Sequence, residues 1–266
     1  MTDAFKVAIV IHAFYMDVFD EILDLVQSLP ARHKLFVTTV AERAPEVALR
    51  LDASGRDHEL YVFDNRGRDV LPFLCVFPAL RAEGFELVVK VHTKKSLHRA
   101  DGDAWRRAMV SALLQPQQLQ RAAQAFGEDP ALGIVGPDGH LLSVKSYMGG
   151  NEARVLAIGQ RLGLSRQDVL DAGFCAGSMF MARSNVIAPL VDLGFKAADF
   201  EPEAGQIDGT LAHALERSLA LGAVVLKRRL ASSADPFGPA SFNDGYEFAR
   251  RPPAGRLKSA FRRILG

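Results

Sequence analysis

The first ninety residues alternate between short apolar runs and amphipathic segments, and this alternation constrains the fold more than any other feature of the sequence. Residues 6–13 and 87–92 are continuous runs rich in β-branched side chains, which are typical of strands buried on both faces. Between such runs, apolar residues recur at helical spacing, as they do at 17–28. Because strand–helix–strand units connect parallel strands, the pattern predicts an α/β fold with a mainly parallel, Rossmann-like sheet flanked by helices.

The same alternation continues through the rest of the chain and defines one domain. Further strands are predicted at 35–40, 59–63, 132–136, 173–182 and 223–227. No internal repeat or linker interrupts the pattern, so we predict a single domain over residues 1–232. Residues 233–266 are rich in Pro, Gly, Ser and charge, which predicts a tail that either wraps the domain or is partly mobile.

Composition and charge exclude several classes of protein. The chain has 32 basic and 31 acidic residues, a net charge of +1, whereas a dedicated nucleic-acid binder carries a basic excess. No stretch approaches the roughly 18 apolar residues of a membrane span, and the N-terminus lacks the basic segment and cleavage site of a signal peptide. Cys75 and Cys175 fit no metal or redox spacing. We therefore expect a cytoplasmic protein that binds no nucleic acid and does not cross the bilayer.

A group of polar residues follows the predicted strands at the edge where α/β sheets bind ligands, the carboxyl ends of the parallel strands. The group consists of His12, then Asn65, Arg66, Gly67, Arg68 and Asp69, then Lys90, His92, Lys94 and Lys95. Five members are cationic, and arginine and lysine are well suited to the oxygens of a diphosphate. Gly67 allows positive φ and a close approach of phosphate to the backbone. The sequence therefore predicts a diphosphate site at this edge.

Several members of the group also have a structural interpretation. Residues 65–69 are typical of a turn with solvated arginines. Lys90 interrupts an apolar strand, where it either meets a ligand or extends its ammonium group to a sheet edge. His92 taken alone is more typical of a structural histidine. The group as a whole favours ligand binding more than any single member does.

Three carboxylates lie close together later in the chain, at Glu201, Glu203 and Asp208, just before a helix predicted at 209–219. One of them is a candidate for the base that deprotonates an acceptor hydroxyl. Asp208 alternatively caps the helix. His213 and Glu216 on that helix are interpreted as a polar face.

Six motifs, in their expected order, carry a resemblance to a known family. They are IVIHAFY, DNRGRDVLPFL, KVHTKKS, the pair GPDG and GGN, AGSMFMAR, and IDGTLAHALER. Over roughly residues 6–220 they resemble the rhamnan synthesis protein F family. The resemblance implies a GT-A-like fold and a glycosyltransferase of rhamnan, O-antigen or lipopolysaccharide synthesis. It further implies transfer of L-rhamnose from dTDP-rhamnose to a lipid-linked glycan acceptor.

One segment departs from the GT-A pattern. Where that fold carries Asp-x-Asp for a divalent cation, this chain has KVHTK at 90–94. We therefore expect transfer without a metal or other cofactor, with a divalent cation as the alternative, because lysines neutralise the leaving diphosphate directly. The expected roles are a diphosphate clamp of Lys90, Lys94, Arg66 and Arg68, nucleoside contacts from Asn65, Asp69 and His12, a sugar pocket at Gly177 and Ser178, and Asp208 or Glu203 as base.

Residues 250–266 predict where the protein acts. This segment carries six basic residues, and its apolar residues at 257, 260, 261, 264 and 265 share one helical face. A short basic amphipathic helix is typical of a peripheral anchor on anionic lipid, here the inner face of the cytoplasmic membrane. The alternative is a terminal helix docked on the domain.

Two other functions stay open at this point. A non-catalytic partner that binds a nucleotide sugar or glycan in a polysaccharide assembly complex would keep the cationic residues and would not need Asp208 or Glu203. Another nucleotide-using transferase, such as a phosphotransferase, would need a GxxxxGK[ST] phosphate loop or an acidic metal motif, and the sequence has neither.

Overall fold

The computed structural model of the protein describes residues 5–30, 32–95 and 102–247. Within these residues, seven strands form one sheet and two short strands form a separate pair. The main sheet contains β1 (Val7–His12), β2 (Lys34–Val40), β3 (His58–Phe63), β4 (Leu87–His92), β5 (Leu132–Gly136), β8 (Phe180–Arg183) and β9 (Arg229–Ser232). The pair consists of β6 (Leu141–Ser143) and β7 (Gly173–Cys175).

The described part of the chain contains eleven α-helices. They are α1 (Met16–Gln27), α2 (Ala44–Ser54), α3 (Val70–Ala82), α4 (Gly102–Leu114), α5 (Pro116–Glu128), α6 (Val144–Tyr147), α7 (Glu152–Arg161), α8 (Arg166–Leu170), α9 (Ser184–Val191), α10 (Leu211–Ser218) and α11 (Leu221–Val225). In α1, Val18, Ile22 and Val26 are buried one turn apart, which is the spacing that predicted this helix.

The main sheet has the order β3-β2-β1-β4-β8-β5-β9, and β8 runs antiparallel to both of its neighbours. Strand β1 is parallel to β2 and β4, and His12 lies beside His92 in the register. The order 3-2-1-4 is that of the first half of a Rossmann-like sheet. The predicted fold class, a mainly parallel α/β sheet flanked by helices, is confirmed.

Strand β1 is apolar along nearly its whole length because helices cover both faces of the sheet. Its alternate side chains enter two separate apolar clusters. Ile9 and Ile11 pack in the cluster that includes α1, α4 and α5, whereas Ala8 and Val10 pack in the cluster that includes α3, α9 and α10. The period-two alternation of a strand thus explains how one continuous apolar run serves two cores.

Two predicted strands differ from the structure. The apolar run at 223–227 lies largely in α11, because Gly222 lets this helix pack directly against the backbone carbonyl of Val186, and the strand comes later as β9. The strand predicted at 173–182 is divided between two sheets as β7 and β8. Gly177 (φ 72°) and Ser178 (φ 52°) both adopt left-handed backbone conformations, which extended structure does not accommodate.

The first part of the predicted tail packs on the domain. Phe242 covers Gly173, and the Tyr246 hydroxyl accepts a hydrogen bond from Trp105 Nε1 at 3.0 Å. The rest of the tail, with the predicted amphipathic helix, lies outside the described residues. Among residues 5–30, 32–95 and 102–247, no helix is long and apolar enough to cross a membrane.

Candidate functional site

The polar residues predicted after β1, β3 and β4 meet at one edge of the sheet. This edge, which we call the carboxyl edge, is formed by the ends of β1 and β4 together with residues 64–69 and 176–178. Residues 176–178 reach it because they precede β8, whose antiparallel pairing sets Phe180 opposite Lys90. The segment after β3 reaches it through Asp69, which contacts β4.

Lys90, Asp69 and Ser178 form a buried triad beneath this edge. Lys90 Nζ donates to Asp69 Oδ2 at 2.5 Å, to Ser178 Oγ at 2.9 Å and to the Ser178 carbonyl at 3.0 Å, and the Ser178 hydroxyl also contacts Asp69. The Lys90 side chain is 1% exposed. Its charge is therefore compensated inside the protein, and the structure does not bring it to a position where it meets a ligand.

The triad explains the electrostatics of Asp69. Burial alone would raise the pKa of this carboxyl, but the charge and hydrogen bond of Lys90 hold it well below its usual range. Asp69 is thus an ionised partner of Lys90. It ties the segment after β3 to β4 and to residue 178, and it is not exposed for a nucleoside contact.

His92 and His12 are neutral parts of the edge. His92 Nε2 donates to the Gly177 carbonyl at 2.8 Å, and its Nδ1 accepts from the Lys94 amide at 3.1 Å, which fixes the tautomer. Burial lowers the pKa of each imidazole to about 4. His12 Nδ1 bonds Thr38 Oγ1 at 2.9 Å. Neither histidine adds positive charge near neutral pH.

Arg68 and Arg66 connect the edge to the loop at 197–208. Arg68, with φ of 58°, forms an ion pair with Glu203 at 3.3 Å, donates to His213 Nε2 at 2.7 Å and reaches the Gln206 carbonyl. Arg66 Nη1 donates to the Ala197 carbonyl at 3.2 Å. The predicted base Glu203 is therefore engaged by an arginine that sequence reasoning placed on the diphosphate.

Gly67 is required where the sequence predicted it. It adopts φ of 66°, and a Cβ there would lie 2.8 Å from a ring carbon of Phe200. The predicted positive φ is thus present, and the close neighbour of the Gly67 backbone is the Phe200 ring and not the predicted phosphate.

Lys94, Lys95 and Asn65 lie at the surface of the edge. Lys94 is exposed, and its ammonium group has no partner among the residues that the structure describes. Lys95 pairs with Asp17 and lies over the Tyr15 ring, with 5.3 Å from Nζ to the ring centroid. Asn65 is exposed. Of the predicted cations, Lys94 is thus the one most available to an anion.

Asp208 is held by the GGN motif. Its carboxylate accepts from the Gly150 amide at 3.0 Å, from Asn151 Nδ2 at 2.6 Å and from Arg217 Nη2 at 3.2 Å. Burial alone would raise its pKa, but these donors bring it below the usual value. The side chain stays 37% exposed. Asp208 does not cap α10, since Thr210 occupies that position, so the capping alternative is wrong.

Two residues of the edge, Thr93 and Glu216, make contacts that were not predicted from the sequence. Thr93 Oγ1 accepts from the Phe14 amide at 2.7 Å and the Tyr15 amide at 3.0 Å, which fastens the loop after β1 to the end of β4. Glu216, in the last turn of α10, accepts from the Gly177 amide at 2.7 Å. The available signal for Glu216 was its i, i+3 spacing from His213 on α10, and that spacing does not indicate a contact with Gly177.

The described residues hold no group of three or more His, Cys, Asp or Glu side chains arranged to bind a metal ion.

Comparisons with known proteins give one family and several partial matches. The family model described as rhamnan synthesis protein F matches residues 1–227. The uncharacterized protein WxcX of Xanthomonas campestris pv. campestris, from strains B100 and ATCC 33913, is 40% identical over 247 residues. That match covers 92% of this chain and 35% of the relative, so the chain spans about a third of the length of these curated relatives.

Two solved structures share parts of the fold. Residues 1–349 of TarS from S. aureus match with a TM-score of 0.46 at 12% identity, covering 85% of this chain and 57% of that one. A cytidylyltransferase from Leptospira borgpetersenii matches with a TM-score of 0.32 at 12% identity, covering 50% of this chain and 54% of that one. Neither score is high enough to carry an argument about the site.

Proposed function

Because this chain belongs to the rhamnan synthesis protein F family, we propose that it is a glycosyltransferase domain of cell-surface polysaccharide synthesis. The observation that carries the proposal is that the Asp208 carboxylate is oriented, ionised and exposed. Three donors orient its carboxylate and keep it ionised, while more than a third of the side chain stays exposed. An oriented and accessible carboxylate is what an inverting transfer requires of its base.

Asp208 and Lys94 act on the same ligand in this proposal. Asp208 raises and Lys94 lowers the pKa of His213, so both charges lie near this imidazole, and the proposal places one ligand against both of them. The acceptor hydroxyl oxygen attacks the anomeric carbon of the donor sugar, and its proton passes to Asp208. The bond from the anomeric carbon to the phosphate oxygen breaks, and the nucleoside diphosphate leaves with its new charge beside Lys94 and Arg66.

The structure changes the roles proposed for the other residues. Lys90, Arg68 and Asp69 support the edge from inside, and Asp208 takes precedence over Glu203 as base because Glu203 is paired with Arg68. Gly177 remains in the proposed sugar pocket, whereas the Ser178 side chain is buried and bonded to Lys90 and Asp69 and is no longer a proposed sugar contact. His12 and Asn65 remain proposed nucleoside contacts. The KVHTK segment at 90–94, in place of an acidic metal motif, supports the proposal that no divalent cation is needed.

The substrates are proposed from the family alone. Its description, rhamnan synthesis, supports a rhamnose donor. We propose dTDP-rhamnose as the first candidate and a lipid-linked glycan on the inner face of the cytoplasmic membrane as the acceptor. A rhamnan, an O-antigen or another lipopolysaccharide glycan would be the product.

A non-catalytic partner of a polysaccharide assembly complex is the second candidate. The observation in its favour is that Glu203, one of the two predicted bases, is paired with Arg68, since a non-catalytic partner needs no free base. Such a partner would bind a nucleotide sugar without consuming it.

A binding experiment tests the proposed ligand class. The melting temperature of the chain is measured with thymidine, uridine and guanosine diphosphates and their sugars, with and without EDTA. We expect one nucleoside diphosphate to raise the melting temperature in EDTA. Lys94→Ala weakens that binding by roughly tenfold, as expected for losing about 1.5 kcal/mol from a charge-assisted hydrogen bond.

The control for this experiment is Lys145→Ala, at an exposed lysine on α6, which leaves binding unchanged. No shift with any member of the panel would contradict the proposed function, and a shift abolished by EDTA would contradict its metal independence.

A further inference from the structure

Glu216 lies at the carboxyl edge, and the proposed mechanism gives its side chain no role. It lies in the last turn of α10, and its Oε1 accepts the Gly177 amide at 2.7 Å. Its other oxygen, Oε2, has no hydrogen-bond partner within the described ranges, and the side chain is only partly buried. One oxygen is therefore fixed by the backbone while the other is available.

The backbone that holds Glu216 is itself tightly fixed. We call residues Gly177 and Ser178 the 177–178 turn. Its two carbonyl groups accept from His92 Nε2 at 2.8 Å and from Lys90 Nζ at 3.0 Å. Both residues of the turn have positive φ, which is unfavourable for Ser178 and is maintained by these contacts. The position of the Glu216 carboxyl is thus determined by three separate elements, β4, α10 and the turn.

Two apolar side chains flank the same turn, the partly exposed Trp105 and the buried Met109. A Cβ built on Gly177 would lie 3.6 Å from Trp105 Cη2 and 3.5 Å from Met109 Cε. The Trp105 indole is held in place by its hydrogen bond to the Tyr246 hydroxyl, and it is partly exposed. Gly177 therefore has the Glu216 carboxyl group at its amide and a partly exposed aromatic ring near its α-carbon, a pair of neighbours that suits a sugar, which has apolar C–H faces and hydroxyl edges.

The charge of the Glu216 carboxylate determines which part of a ligand can bind beside it. A carboxylate repels a diphosphate, so the phosphates belong on the side of Lys94 and Arg66. Burial raises the pKa of Glu216, and the charge of Asp69 raises it further, against the opposite effects of Arg217 and Lys94. A carboxyl group in this environment forms hydrogen bonds with uncharged hydroxyl groups more readily than with ions.

We infer that Glu216 binds the transferred sugar of the donor, with Oε2 hydrogen-bonded to a ring hydroxyl beside Trp105. This inference rests on the proposed function, and it identifies Glu216 as a specificity-determining residue. The transferred sugar would lie between the 177–178 turn and α10, and the nucleoside diphosphate would extend from there toward Lys94.

The test compares nucleotide with nucleotide sugar in one variant. Glu216→Gln keeps an oxygen that accepts the Gly177 amide, so the turn stays intact. Calorimetric titration measures dTDP and dTDP-rhamnose, and the uridine and guanosine pairs, against the wild type and this variant. We expect the variant to bind the free diphosphate as the wild type does, and to lose roughly tenfold or more in affinity for the sugar-bearing ligand.

Glu128→Gln makes the same chemical change at an exposed carboxylate on α5 and serves as the matched control. Equal losses for diphosphate and nucleotide sugar would show that Glu216 only supports the turn, and unchanged affinity for both would show that it does not contact the ligand. Either result overturns the inference and leaves the proposed function standing. A wild type that binds no member of the panel overturns the proposed function, and the inference with it.

Discussion

Lys90 and Glu216 contact the same turn from different elements. The charge of Lys90 is compensated inside the protein, whereas the Glu216 side chain stays partly exposed. On the β4 side, Lys90 is 1% exposed, and the hydrogen bonds of its ammonium group to described residues go to Asp69 and Ser178. On the α10 side, Glu216 and Asp208 are oriented by backbone and side-chain donors and remain partly exposed. A charged residue inside a buried strand therefore indicates internal pairing here, whereas the groups available to a ligand lie on a helix and on the loop before it.

The largest effect is expected on the β4 side, in protein stability. Lys90→Met removes one member of the buried triad and leaves Asp69 as an unpaired buried charge. We expect a loss of about 3–5 kcal/mol in the free energy of unfolding, measured by urea denaturation. Lys145→Met, at an exposed lysine, should change it by no more than about 0.5 kcal/mol.

That experiment also separates the two interpretations of Lys90. If Lys90→Met were as stable as the wild type and lost only nucleotide affinity, Lys90 would be a ligand contact. The β4 side would then bind ligand as the α10 side does, which contradicts the comparison.

A smaller effect is expected on the α10 side, in the pH dependence of activity. Asn151→Ala removes the 2.6 Å donor to Asp208, so the lowered pKa of Asp208 rises toward its ordinary value. Asp208 accepts a proton only when ionised, so the acid limb of the pH–kcat profile moves to higher pH. At neutral pH the carboxylate is still ionised, and we expect a loss of about tenfold or less, from poorer orientation.

The exposed Asn185 on α9 provides the control, as Asn185→Ala. An acid limb that stays in place while kcat falls would show that Asn151 acts on the substrate and not through Asp208.

The fold could be predicted from the sequence because its strands and helices are indicated by residues close together in the chain. The runs that became β1 and β4 are apolar over consecutive residues, and the rule that parallel strands end at one edge brought residues 12, 65–69 and 90–95 together correctly. The division of 173–182 was not predicted, since it depends on a left-handed conformation at Ser178, a residue that rarely adopts one.

The internal pairing of the site could not be predicted because its partners are distant in the chain. Lys90 meets Ser178 across 88 residues, Asn151 meets Asp208 across 57, and Gly177 meets Glu216 across 39. Residue type indicated that these groups are polar and close to one edge. Which of them neutralise each other depends on distances that sequence spacing does not contain.

Consumption of the donor tests the central claim most directly. Release of nucleoside diphosphate from dTDP-rhamnose, or from the nucleotide sugar that binds in the panel, is followed in the presence of a lipid-linked glycan. The account predicts that the wild type consumes the donor, that Asp208→Asn binds it but loses roughly 10²–10⁴-fold in kcat, and that Asp192→Asn, at an exposed aspartate paired with Arg81, behaves as the wild type. A wild type that binds the donor without consuming it, or an Asp208→Asn variant of undiminished kcat, would contradict the account.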